Sequence, residues 1–286
     1  MRLIPGAYAR TPARTFDATA TQYFEAATGL GLGANDAFWV AAWVRRDGNQ
    51  ITLVSLGRTG GSTNDSRMVL QGTGTNIQAV HTNAGGGNSA ATTTLTQTTA
   101  WRLVIAHFTQ GSTARDIYVD NVGATNAGAR TLTNPPNLLR VGLTMAGTNP
   151  AAMGLASLAI FGGVSTADLR AQLQLGAHPL TIAAPLLDAW TFATPGPQRG
   201  LRGTILQPVG GGAMSLGPVI QQLRRQPQGY GGLVGSGVVT LPTDAGSYSI
   251  SGSDAGLVYS GSTASVVTLS RSIFRGVFPR VPGRVN

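Results

Sequence analysis

Three histidines, ten aspartates, a single glutamate (Glu25) and the hydroxyl side chains are all that this 286-residue chain offers for acid–base or nucleophilic chemistry. It has no cysteine, and all 20 of its basic residues are arginine. Thiol catalysis, thiolate metal sites, lysine Schiff bases and phosphate loops of the Walker type are therefore excluded, because each needs a thiolate or an ammonium group. A glycosidase built on two glutamates is excluded as well. His81, His107 and His178 lie far apart, with no H-x-x-x-H or H-E-x-x-H spacing, so no zinc site is expected. A nucleophilic serine is sought in a G-x-S-x-G elbow, and none occurs; GSTNDS and SGSDAG read as turns. The G-x-G of GLGLGANDAF runs into a strand-like segment, so no helix N-terminus would meet a phosphate there. Asp47, Asn64 and Asp65 are weak metal candidates, too few for the six to eight oxygens that calcium takes. The expectation is no catalytic residue, no metal and no cofactor.

Binding is the chemistry that remains. Trp39, Trp43, Trp101 and Trp190 could stack on sugars, but all four lie in apolar strand-like runs, where burial makes them core residues. The end of the chain, IFRGVFPRVPGRVN, sets Phe274 and Phe278 among Arg271, Arg275, Arg280 and Arg284, aromatic and guanidinium groups of the kind that dominate protein interfaces. Residues 195–286 hold eight arginines against Asp244 and Asp254, and this basic third is the expected partner-binding part. Nucleic acid is a weaker fit, because the arginines are few and are spaced by proline and valine.

These groups must be positioned mainly by strands. Only 11% of the residues are charged, and 40 glycines and 15 prolines punctuate short apolar runs. In AFWVAAWVRR, Phe38, Val40, Ala42 and Val44 alternate with Trp39, Ala41 and Trp43, so both faces are apolar and a strand covered on both sides is expected. Further strand-like runs are 51–56, 67–71, 77–82, 101–109, 116–120, 138–143, 153–161 and 184–193. One short helix is expected in STADLRAQLQLG, capped by Ser165 with Asp168 answering it and stopped by Gly176. The first residues lack the apolar stretch of a secretory signal and no 18-residue apolar run occurs, so neither export nor a membrane span is expected.

Four blocks in order, TFDATATQYFEA, AFWVAAWVRRDG, WRLVIAHFTQGSTARDIYVDNV and GLASLAIFGGVSTADLRAQL, make residues 15–193 resemble a laminin G-like domain of the concanavalin A-like lectin superfamily. The resemblance implies an all-β fold, an antiparallel jelly-roll sandwich. The chain departs from the family at Asp120-Asn121, where Asp-Gly is usual, and at Ala156-Ser157-Leu158, where an acidic residue is usual. The expected organisation is an N-terminal arm (1–14), the sandwich (15–193), a Gly/Pro-rich linker or draped arm (194–235), and a small C-terminal β unit with its basic tail (236–286). AGSYSISGSDAGLVYSGS resembles a Gly-x-Tyr-x-Ile-x-Gly segment found near the C-termini of tailed-bacteriophage structural proteins. That resemblance implies a non-enzymatic virion protein whose lectin-like sandwich is anchored to head, neck or tail by the arms. Its partners would be capsid, neck or tail subunits and copies of itself. The alternative is a glycan-binding adhesin of a tail fibre or baseplate, with a host-surface sugar as ligand.

Overall fold

The computed structural model describes residues 3–17, 22–49, 51–58, 66–71, 75–82, 88–108, 115–126, 133–148, 150–225, 237–240 and 266–269. The chain divides into two compact units, one comprising Ala7–Gln222 and the other Met1–Gly6 with Leu223–Asn286.

The larger unit is an antiparallel two-sheet sandwich. In chain order its strands, of which the first and last run a few residues past the unit's bounds, are β1 (Leu3–Phe16), β2 (Tyr23–Ala26), β3 (Phe38–Arg46), β4 (Thr52–Gly57), β5 (Ser66–Gln71), β6 (Asn76–Thr82), β7 (Asn88–Thr94), β8 (Arg102–Phe108), β9 (Arg115–Val119), β10 (Val122–Asn126), β11 (Leu138–Val141) and β12 (Met153–Gly162). Helix α1 (Ala167–Gln174) and a 3-10 turn (Pro179–Thr181) follow, then β13 (Leu186–Trp190), β14 (Gln198–Arg199), β15 (Ile205–Val209) and β16 (Ala213–Arg225). One sheet runs β10-β9-β8-β3-β12-β1-β16, with β13 also paired to β12; the other runs β14-β15-β2-β11-β4-β5-β6-β7.

The alternation in β3 explains its central place. Phe38, Val40, Ala42 and Val44 face the second sheet and join the main core with Phe24, Leu53, Leu56, Val104, Phe108, Leu139 and Trp190. Trp39 and Ala41 point the other way into a second cluster, roofed by Leu173 of α1 together with Ile182. There the indole of Trp39 stacks on Phe161, centroids 4.1 Å apart and planes 13° from parallel. Trp39 and Trp190 are fully buried as expected, whereas Trp43 and Trp101 are only half-buried.

The helix expected after β12 is present, but its cap is Thr166: the hydroxyl accepts from the Leu169 N–H at 3.3 Å. Ser165, the residue expected to cap, faces His107 instead. Gly176, at φ +83°, ends the turn as expected.

The sandwich extends beyond 15–193 on both sides. Residues expected as an N-terminal arm belong to β1, whose Arg14, Thr15 and Phe16 pair with Leu155, Gly154 and Met153. Residues 198–225, read from composition as a linker or draped arm, form β14, β15 and β16. Gln207, Pro208 and Val209 pair with Glu25, Phe24 and Tyr23. Proline and glycine weaken central strands but are tolerated at sheet edges, and the buried Leu206 and Ile220 anchor these outer strands to the core. Thr11 donates to the Pro218 carbonyl (3.3 Å) and Thr15 to the Ser215 hydroxyl (3.3 Å), so β1 and β16 run antiparallel and the two ends of the unit lie side by side.

In the smaller unit, β17 (Gly237–Thr240) pairs antiparallel with β18 (Val266–Leu269). The remaining strand-like runs expected over 236–286 lie outside the described residues.

Candidate functional site: a cleft at one end of the sandwich

One end of the sandwich is organised by two arginines that close β3. Arg46 is buried; its Nε donates to the Gly48 carbonyl (2.9 Å) and its Nη1 to the Leu95 carbonyl (2.5 Å). Gln97 reaches back to the Asp47 carbonyl at 2.8 Å, and the Thr98 N–H donates to the Arg46 carbonyl at 3.3 Å. These bonds pin residues 95–98 across the end of β3 and so fix Thr94 and Thr96, both exposed, beside the start of β8.

The β9–β10 hairpin supplies the facing wall. Asp120 (φ +49°) and Asn121 (φ +67°) both adopt the left-handed conformation of a two-residue primed turn, between the paired Val119 and Val122. Asparagine tolerates this backbone well among non-glycine residues, so the turn forms without a glycine at its second position. The Asp120 carboxylate accepts from Arg102 Nη1 (2.6 Å), from the Leu103 N–H (3.0 Å) and from Gln174 of α1 (3.3 Å), so it is fixed from three directions.

Between these walls lies a cleft of about 210 Å³ lined by Thr94, Leu95, Thr96, Arg102, Val119, Asp120 and Val122. Val122 is 71% exposed, an apolar platform beside two threonine hydroxyls and a guanidinium–carboxylate pair. Trp101 packs against β12 at Gly154. A Cβ on Gly154 would come within 2.9 Å of its indole, and the Arg45 guanidinium sits 5.4 Å from the ring centre. Arg45 is held by Asp47 through two bonds, 2.6 and 2.9 Å, and this hydrogen-bonded partner raises the guanidinium pKa.

The arrangement suits recognition of a polyhydroxylated ligand: an apolar surface for C–H groups, fixed donors and acceptors for hydroxyls. Glycoside hydrolysis uses two carboxyl groups about 5–9.5 Å apart across the bond; among the described residues that line the cleft, Asp120 is the one acid.

Asp47 is engaged with Arg45; Asn64 and Asp65, and the tail residues Arg271, Phe274, Arg275, Phe278, Arg280 and Arg284, lie outside the described residues. Among the described residues no group of three or more histidines and acids is placed to hold a metal. His81 is buried and tilted against Phe108, ring centroids 5.2 Å apart. His178 is buried, and its Nδ1 accepts from the Leu180 N–H at 3.2 Å, capping the 3-10 turn. His107 is buried between Asp116 and Ser165, an assembly that no sequence spacing announces. The cleft was equally hidden in the sequence; the Asp-Asn turn was its one visible component.

No family model and no curated protein matches this chain. Solved structures do. A candidate carbohydrate-binding protein from Bacteroides ovatus superposes with a TM-score of 0.52 at 15% identity, over 74% of this chain and 61% of that one. This chain thus spans less than two thirds of that protein's length. Domains LG4-5 of the mouse laminin α1 chain give 0.39 at 12% identity, over 54% and 41% of the two chains. A heptameric SAP-like pentraxin from Limulus polyphemus gives 0.45 at 9% identity, over 73% and 95%. The fold is an all-β, antiparallel two-sheet sandwich, shared with the Bacteroides ovatus structure.

Proposed function

We propose that the sandwich is a carbohydrate-recognition module and that the cleft between the residue 94–102 segment and the β9–β10 turn takes the sugar. The observation that carries this reading is the cleft itself, with one fixed Arg102–Asp120 pair and two free-standing threonine hydroxyls set beside exposed Val122 on a lectin-like sandwich. Screening the full chain on a broad glycan array, followed by calorimetry with the best ligand, tests it. The expected result is saturable binding that falls at least ~10-fold in Arg102→Ala, the loss of one charge-assisted hydrogen bond, with the thermal unfolding profile retained. An array without a bound glycan, or affinity unchanged in Arg102→Ala and Thr96→Ala, overturns it.

The C-terminal segment supports a second element of the proposal, a virion role in which this module decorates a tailed-phage particle. Its arginines and phenylalanines are interface residues by type, and residues 223–286 fall outside the sandwich unit. Deleting residues 271–286 is expected to leave a folded sandwich that no longer joins the particle. Normal incorporation of the truncated chain refutes the anchoring role.

A further inference from the structure

Away from the cleft, on the outer face of the first sheet, three residues remote in sequence converge. His107 of β8 and Asp116 of β9 are direct cross-strand partners, and the Asp116 carboxylate lies 3.3 Å from His107 Nδ1. The other ring nitrogen, Nε2, is 2.5 Å from the Ser165 hydroxyl. Arg170, one turn into α1, donates to the same Ser165 oxygen at 3.2 Å. The ring is wedged between Trp39 and Tyr118 (centroids 6.2 and 5.6 Å), and the Arg170 guanidinium lies 4.2 Å over the Tyr118 ring. Every member is thus held by a neighbour.

Asp116 at Nδ1 favours the tautomer that carries its proton there, which leaves the Nε2 lone pair facing the serine O–H. This is the arrangement in which an imidazole acts as general base toward a hydroxyl. Burial and the Arg170 charge keep the imidazole neutral, as that role requires. The Ser165 hydroxyl is not consumed by helix capping, because Thr166 performs it. Ser165 occupies the turn between β12 and α1, in the sequence Gly163-Val164-Ser165-Thr166-Ala167, which departs from G-x-S-x-G only at its last residue. The left-handed backbone there belongs to Gly163 (φ +75°), so the serine itself is unstrained. Ser165 is 9% exposed and Val164, its neighbour, 54% exposed, which restricts approach to small acyl groups arriving over an apolar lip.

We propose that Ser165, His107 and Asp116 form a hydrolytic triad for short-chain carboxylic esters, with Arg170 positioning the Ser165 oxygen. The Ser165 oxygen bonds to the ester carbonyl carbon as its proton passes to His107 Nε2. The tetrahedral oxyanion collapses with cleavage of the C–O bond, and the leaving alcohol takes the proton from His107. Water, deprotonated by the same nitrogen, then bonds to the acyl carbon, the bond to the Ser165 oxygen breaks to release the acid, and His107 returns the proton to that oxygen. This activity is independent of sugar recognition at the cleft.

The test uses the full chain with 4-nitrophenyl acetate as substrate and diisopropyl fluorophosphate as covalent probe, the labelled residue being mapped by mass spectrometry. Expected are turnover above the rate in buffer, a label on Ser165, and loss of both in Ser165→Ala with an unchanged melting profile. Asp116→Asn is expected to slow turnover by about 100-fold without unfolding the chain. The wild-type rate should rise with pH in a single step below the usual histidine range; the groups facing His107 are Asp116, Ser165, Arg170 and Tyr118. Turnover equal in wild type and Ser165→Ala, or a label mapped elsewhere, overturns the proposal, and so does a wild-type chain that neither turns over the ester nor takes the label.

Discussion

Replacing Asp188 by alanine is expected to cost about 3–5 kcal/mol and to lower the melting temperature by about 10 °C. Asp188 is fully buried in β13, and its two carboxylate oxygens gather three backbone donors. Oδ1 accepts from the Ala189 N–H (2.8 Å) and the Arg202 N–H (2.8 Å), and Oδ2 from the Thr204 N–H (2.9 Å). The carboxylate therefore ties the 200–204 turn, and through it β14 and β15, to the strand that carries Trp190. Trp190 itself donates to the Thr204 carbonyl at 3.1 Å, closing the same turn from the other side. Alanine would leave donors with no partner and a gap where the carboxylate sat, both costly. Gly200 is part of the arrangement: a Cβ there would overlap the carboxylate, 2.3 Å from Oδ1. Asp188→Asn, which keeps one acceptor but turns an amide N–H toward backbone donors, should fall between wild type and Asp188→Ala. Urea unfolding followed by tryptophan fluorescence reads the difference, and a change below about 1 kcal/mol in Asp188→Ala would show that the turn holds without the carboxylate.

Acidification from neutral pH is expected to weaken the fold through a buried histidine. Burial lowers the His178 pKa to about 4, whereas in the unfolded chain the ring titrates near its ordinary 6.5. Between those values the unfolded chain binds a proton that the folded chain refuses. The stability tied to the neutral ring is thus complete above pH 6.5 and declines as the pH falls toward 4. At about 1.4 kcal/mol per pH unit the loss is on the order of 3 kcal/mol by pH 4. His107, lowered by burial as well, acts in the same direction. The mechanism at His178 is specific: Nδ1 must stay unprotonated to accept from Leu180. His178→Asn retains an acceptor and removes the titration, so its urea midpoint should change less than that of wild type between pH 7 and pH 4.5. Parallel profiles for the two proteins would assign the acid sensitivity elsewhere.

The strands most legible in the sequence are those whose periodicity is strongest. β3, apolar on both faces, reads as a covered strand, β12 reads as an apolar strand-like run, and the two are hydrogen-bonded at the centre of one sheet. β7 and β10, NSAATTT and VGATN, carry too little apolar character to be read as strands, and they form at sheet edges through backbone pairing with better-defined neighbours. β15 and β16 hide behind proline and glycine for the same reason, since an edge demands less of a residue than a centre does. The helix was legible from its cap-and-stop pattern, with the cap displaced by one residue because serine and threonine adjoin and Ser165 has a competing partner in His107. The site was less legible. Thr94, Thr96 and Arg102 come from one stretch and Asp120 from another, and they meet only through hairpin geometry. His107 and Ser165 lie 58 residues apart, and only the fold can make such a pair.

The antiparallel contact of β1 with β16 has a mechanical consequence. Because the chain enters and leaves the sandwich on adjacent strands at one margin of one sheet, tension applied through residues 7 and 222 is carried by the ladder between those two strands and bypasses the packed interior. Such a load separates a ladder one rung at a time, a low-force route, and the core, with Trp39 and Trp190 inside it, is not stretched until that margin has opened. The unit can accordingly be threaded into another chain as a side branch, with the host's two cut ends left close together.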